Sequence, residues 1–155
     1  ESGCIGHKDY LRSLVKMLII RIERGCRTQE NRVLSISKTS HKTFLMFRQE
    51  LEKNYRTLHS VKDYAQLLGI STKTLTNYVN ECSPLKPLEI INSRVIIEAK
   101  RMLRYSNLLI KEIGYKLGFE DPSYFVKFFK RGTGMLPIDF RENYIINRNI
   151  TVKEI

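Results

Sequence analysis

One pattern occurs twice in this chain, and it limits the fold more than any other feature. Val61-x2-Tyr64-Ala65-x2-Leu68-Gly69-Ile70-Ser71 aligns with Ile110-x2-Ile113-Gly114-x2-Leu117-Gly118-Phe119-Glu120. In each copy apolar residues recur at the three- and four-residue spacing of one helix face, a glycine ends the helix, and an apolar residue plugs the turn. In the first copy, Ser60 and Asp63 have the spacing of a capping box, and Ser71 is placed to cap a second helix reaching about Glu81. In the second copy, Asp121-Pro122 supplies a side-chain cap and a ring preset for the first helical position. Tyr124, Phe125, Phe128 and Phe129 then carry that helix to about Arg131. Helix, glycine turn, helix is the helix-turn-helix arrangement. Any helical bundle can supply one such pair, but two in the same register are much harder to reach by chance.

The remaining segments also read as helices. Pro84 and Pro87 bracket a tight connection into a long helix, about Pro87 to Tyr105. Leu88, Ile91, Val95, Ala99 and Met102 form its apolar face, while Glu89, Glu98, Lys100 and Arg101 are expected on its wet side. Upstream, Phe44, Leu45, Phe47 or Arg48, Leu51 and Tyr55 mark a helix from about Lys42 to Tyr55, and Pro137 opens a short one ending near Asn143. Tyr10, Leu11, Leu14, Val15, Leu18 and Ile22 predict an amphipathic helix over His7–Arg24, stopped by Gly25 and followed by a polar linker to His41. Its stripe can be covered by a second copy, by the rest of this chain, or by a domain outside this sequence. The expected fold is all-α: two helix-turn-helix subdomains joined by a long central helix, preceded by an amphipathic helix. The expected organisation is residues 1–40 as helix and linker, 41–144 as the double helix-turn-helix domain, and 145–155 as a polar, β-prone tail.

Charge narrows the partner. The 155 residues carry 27 Lys and Arg against 16 Asp and Glu, a formal net charge of +11, within an ordinary globular balance of 42% hydrophobic and 28% charged residues. The excess is spread along the chain, 8 against 4 in residues 1–40 and 19 against 12 afterwards. It favours a polyanion, nucleic acid first and an anionic membrane surface second. Cys4, Cys26 and Cys82 form no C-x-x-C and have no histidine at ligand spacing, which implies a reducing, cytoplasmic setting without disulfide framework or metal site. The longest apolar run, Met17–Ile20, is far below the ~20 residues of a membrane span, and no signal peptide is visible. Glu1 in place of Met implies a piece of a longer chain. No Gly-rich phosphate loop, HExxH or G-x-S-x-G occurs, and His7, His41 and His59 are scattered, so neither enzyme chemistry nor a cofactor is expected.

Residues from about Phe44 to Tyr144 resemble the DNA-binding domain of the AraC family of bacterial transcription regulators. The run Ile113-Gly114-Tyr115-Lys116-Leu117-Gly118-Phe119-Glu120-Asp121-Pro122-Ser123-Tyr124-Phe125 carries most of the likeness. Phe129-Lys130-Arg131, Gly134, Pro137 and Phe140-Arg141 add to it, as do Arg94, Ala99 and Leu103 in the central helix. Three positions depart from the family's pattern. Gly114 stands where alanine is usual, Leu136 where a capping serine precedes the proline, and Lys127 where arginine would give a bidentate contact. The resemblance implies double-stranded DNA as partner, activation as the usual outcome, contact with RNA polymerase, and a missing sensor domain. It also implies that the helix around Tyr10–Ile22 pairs two subunits.

In a helix-turn-helix, the N-terminal side chains of the second helix meet base edges in the major groove. Periodicity exposes Thr72, Lys73, Thr76 and Asn77 in the first unit. Lys73 suits guanine O6/N7 and Asn77 can grip adenine N6/N7; the family pattern places Lys73, Thr76 and Asn77 at bases. The matching positions in the second unit are Ser123, Tyr124 and Lys127, a set poor in long hydrogen-bonding side chains and suited to weaker readout by shape and methyl contacts. Phe125, Phe128 and Phe129 have the spacing of a buried stripe. Lys100, Lys130, Arg131 and Arg141 are candidates for phosphate contacts. A stiff link predicts two dissimilar half-sites about 10 bp apart. The rival is a basic helical adaptor that binds protein or RNA and reads no DNA sequence.

Overall fold

The computed structural model describes residues 37–144 and Met17. The chain divides into two units, Glu1–Lys38 and Thr39–Ile155. Apart from Met17, which is helical, the expected helix at His7–Arg24 lies outside the described residues, as do Cys4, Cys26 and the tail beyond 144. The described chain is helical throughout: α1 (Lys38–Asn54), α2 (Val61–Leu67), α3 (Thr72–Cys82), α4 (Pro87–Tyr105), α5 (Ile110–Lys116) and α6 (Pro122–Thr133). Residues 137–144 form a further helix, α7. No strand occurs among the described residues, in line with the all-α expectation.

Helix boundaries follow local chemistry. Ser60 and Asp63 close a reciprocal capping box on α2, with the Asp63 N–H donating to Ser60 Oγ at 3.2 Å and the Ser60 N–H to Asp63 Oδ2 at 3.3 Å. Neither α4 nor α5 has a side-chain oxygen at its cap. The third residue inside each reaches back instead, Glu89 accepting from the Lys86 N–H and Glu112 from the Leu109 N–H, both at 2.7 Å. α1 starts at Lys38, four residues ahead of the helix read from apolar spacing. Its first turn is polar, so periodicity gave no sign of it, yet Ser40 is fully buried.

α4 joins the halves and packs against both, touching α2 and α3 on one side and α5 and α6 on the other. Its buried residues are correspondingly many: Ile90, Ile91, Val95, Ile96, Ala99, Met102 and Leu103 among them. A single apolar stripe does not describe this helix. Leu88, expected on the buried face, is exposed, as is Leu45 on α1. One core cluster runs from Phe47, Leu51, Tyr64 and Leu75 through α4 to Ile113, Leu117, Phe125 and Phe129.

Glu98 corrects the sequence reading most sharply. Expected in solvent, it is only 4% exposed. Its carboxylate accepts from Arg101 Nη2 at 2.7 Å and Nε at 3.1 Å, and from Arg56 Nη2 at 3.3 Å, with Arg94 Nη1 at 3.8 Å. Arg94 in turn donates through Nε to Glu52 at 2.8 Å and lies 3.8 Å over the Tyr55 ring. The long basic side chains of α4 and of the α1–α2 loop cover this carboxylate, so a charged residue goes inside without being left unpaired. The Arg101 hydrogen bond, opposed by burial, holds the Glu98 pKa below its ordinary 4.5.

Two outcomes are expected from urea unfolding. Glu98→Ala should lower stability by about 1–3 kcal/mol, since three guanidinium groups lose a common acceptor. Because the folded pKa is depressed, Glu98 contributes fully above the unfolded value and progressively less as pH falls through the folded one. The stability gap between wild type and Glu98→Gln should therefore shrink below about pH 4; a gap that stays constant into acid would contradict the ion-pair account.

Candidate nucleic-acid interface

Each putting-together of turn and second helix begins with a left-handed glycine. Gly69 has φ 65° and Gly118 has φ 80°, conformations that favour a residue without Cβ. In both turns the plug residue returns to the scaffold helix in the same way, Ile70 N–H to Ala65 O and Phe119 N–H to Gly114 O, each at 3.0 Å. The internal repeat is thus a repeat of hydrogen bonding as well as of sequence.

In the first unit Ser71 caps α3, accepting from the Thr74 N–H at 3.0 Å. Leu75 and Val79 are fully buried, which turns the opposite side of α3 outward. Thr72, Lys73 and Asn77 are exposed, and Thr76 is half-buried, its hydroxyl donating to Thr72 O at 2.7 Å. That bond engages the Thr76 donor within its own helix, leaving lone pairs and a methyl for any contact. Asn80 is also exposed. It sits seven residues from Lys73 and three from Asn77, so it extends the same face; helical spacing alone would have found it.

In the second unit Asp121 caps α6, accepting from the Ser123 N–H at 2.7 Å. Phe125 and Phe129 are fully buried and Phe128 nearly so, as the buried-stripe reading expected. Ser123, Tyr124, Lys127, Lys130 and Arg131 are exposed on the helix that those rings anchor. Tyr124 is 58% exposed although its ring lies 6.0 Å from that of Phe119. Gly114 is buried, and a methyl there would stand 3.2 Å from Phe125 Cβ and 3.3 Å from its Cγ. The departure from alanine thus admits Phe125 closely against α5.

Two of the four cations expected at phosphate have work inside the protein. Arg141 on α7 donates to Leu108 O at 2.8 Å and Leu103 O at 3.3 Å, tying α7 to the end of α4. Lys100 is half-buried with its ammonium 5.7 Å from the Phe140 ring centre. Burial of the intervening aliphatic and aromatic surface draws both side chains inward. Lys130 and Arg131 remain exposed, beside Lys127.

This pair of capped helices, each set by a glycine turn on a common spacer helix, defines a double helix-turn-helix domain. The profile of the family described as "Helix-turn-helix domain" matches residues 64–143, more than half of the chain. The chain belongs to that family, the AraC-type regulators. It is 22% identical over 129 residues to the helix-turn-helix regulator YijO of Escherichia coli, covering 83% of this chain and 46% of that protein. It is 31% identical over 78 residues to the transcriptional activator RhaS of Salmonella arizonae, covering 50% and 28%. The chain therefore spans less than half the length of these relatives. Among solved structures, the DNA-binding domain of AdpA, crystallised with a target DNA, superposes with a TM-score of 0.62 at 20% identity, covering 68% of this chain and 96% of that one. An AraC-type regulator from Chromobacterium violaceum gives 0.59 at 18% identity, covering 70% and 96%. At these identities the structural likeness speaks for the fold.

Capping should be measurable at each second helix. Ser71→Ala and Asp121→Ala are each expected to cost about 1 kcal/mol in urea unfolding, with amide exchange accelerated mainly in the first turn of the helix concerned.

Proposed function

We propose that this chain reads double-stranded DNA by sequence, with α3 and α6 entering successive major grooves on one face of the duplex. The observation that carries this reading is the pair of second helices, each capped, each following a left-handed glycine turn, and each presenting an exposed polar face. Thr72, Lys73, Thr76 and Asn77 read bases from α3; Ser123, Tyr124 and Lys127 do so from α6, with fewer long donors and a larger share of shape. Lys130 and Arg131 supply phosphate contacts that position α6, with Lys100 and Arg141 weaker candidates because they are engaged internally. Tethering the second unit on the first raises its effective concentration at the adjacent groove. The proposal extends to activation through RNA polymerase, supported by similarity to a relative named as a transcriptional activator, and to pairing of two chains through the helix around Tyr10–Ile22.

Selection from a random duplex library at physiological salt tests the reading. The expected product is a bipartite site with halves about 10 bp apart. Binding without enrichment, collapsing as salt rises, would favour instead a basic adaptor without sequence reading. On the selected site, Asn77→Ala should lose about 1–3 kcal/mol and relax one base position; an equal loss on random DNA would contradict base reading. Arg131→Ala should weaken all sequences alike and reduce the slope of log K against log salt by about 1.

A further inference from the structure

The two turn glycines have the same conformation but not the same surroundings. Around Gly69 an added methyl would meet open space. At Gly118 it would overlap the carbonyl oxygen of Arg56 and stand 3.4 Å from Thr57 Cα. Arg56 and Thr57 lie in the loop between α1 and α2, in the first helix-turn-helix unit, whereas Gly118 is in the turn of the second. The backbones of the two units are therefore in direct contact, and not joined through the spacer helix alone. His59, three residues along the same loop, reinforces this contact. Its ring centre lies 4.9 Å from that of Phe119, the plug of the second turn. Its Nε2 is 3.2 Å from Tyr55 O. One ring thus meets a main-chain carbonyl of the first unit with its nitrogen and the plug side chain of the second with its face.

Packing on a shared helix still leaves the two units small relative rotations through bending and torsion of that helix. A direct contact between the units restricts that freedom. We infer that the α1–α2 loop and the second turn form a lock, centred on His59 and Gly118, that fixes the spacing and phase of the two reading helices. His59 and Gly118 are then positioning residues for half-site spacing, although neither lies on a reading helix. This explains why turn two requires glycine twice over, for its φ and for the Arg56 carbonyl, where turn one requires it only for φ.

The first test rests on the proposed DNA reading. Sites are built from the selected half-sites with one base pair added or removed between them, which rotates one half by about 35° and shifts it by about 3.4 Å. Wild type should lose at least about tenfold in affinity on either change, within the range of ordinary coupling between sites. His59→Ala and Gly118→Ala should reduce that penalty to about threefold or less, while Gly69→Ala, which carries the same backbone strain in open space, should keep it. The second test needs no DNA. In the full chain with Cys4, Cys26 and Cys82 replaced by serine, spin labels are placed through Asn80→Cys and Lys130→Cys. The distance distribution between them should be narrow and should broaden on adding His59→Ala, but not on adding Gly69→Ala. If Gly118→Ala does not fold, the His59 variant decides both tests. A His59→Ala protein with an unchanged narrow distribution overturns the lock, whatever the outcome on DNA. Absence of any selected site in wild type, with the broadening still observed, would instead remove the DNA reading and leave the lock standing.

Discussion

α4 has to satisfy two cores at once, and the rest of the structure is arranged around that demand. Its side chains at Ile91, Val95, Ile96, Ala99 and Leu103 are buried in one cluster that includes residues of both units. Gly132 illustrates the closeness: a methyl there would lie 3.0 Å from Ile96 Cδ1, so α6 approaches α4 where glycine allows it. A spacer buried along both flanks cannot behave as a solvated rod. Any displacement of one unit disturbs packing that the other shares, and at interior density such displacements are resisted by many small contacts together.

The polar residues at this junction add direction to packing. Glu98 is held by side chains from α4 and the α1–α2 loop, and Arg94 spans from Glu98 to Glu52 on α1 while lying over Tyr55. Buried ion pairs are a weak source of net stability, because desolvation offsets most of the attraction, but a misplaced one is costly. The network therefore discriminates between arrangements of α1 on α4 more strongly than it favours folding as such. Arg141 does the same for α7, its guanidinium meeting two carbonyls at and beyond the end of α4. Basic residues that a charge count assigns to an external polyanion are thus partly committed to the protein's own architecture.

Much of this was legible in the sequence, and the reasons are local. The two glycine turns, the caps at Ser60, Ser71 and Asp121, the start of α4 at Pro87 and the buried stripe at Phe125, Phe128 and Phe129 depend on residues within four positions of each other. What escaped depends on contacts between distant segments. Glu98 looked solvated because Arg101 beside it read as a surface charge, and Arg56, which completes its cover, lies 42 residues away. Leu88 looked buried because a single stripe was drawn on a helix that has two buried flanks. Gly118 looked like a copy of Gly69, and only the Arg56 carbonyl distinguishes them. On the candidate interface, the exposed face of α3 followed from periodicity, whereas the internal engagement of Lys100 and Arg141 did not, since long side chains fold toward surfaces the sequence does not show.

The central claim is that one chain carries two reading helices held in fixed register. Hydroxyl-radical footprinting of the full chain on its selected duplex measures this most directly. The account predicts two protected tracts on one face of the DNA, centred about 10 bp apart, with the stronger base preference under α3. A single protected tract, or protection without periodicity along the duplex, would contradict it.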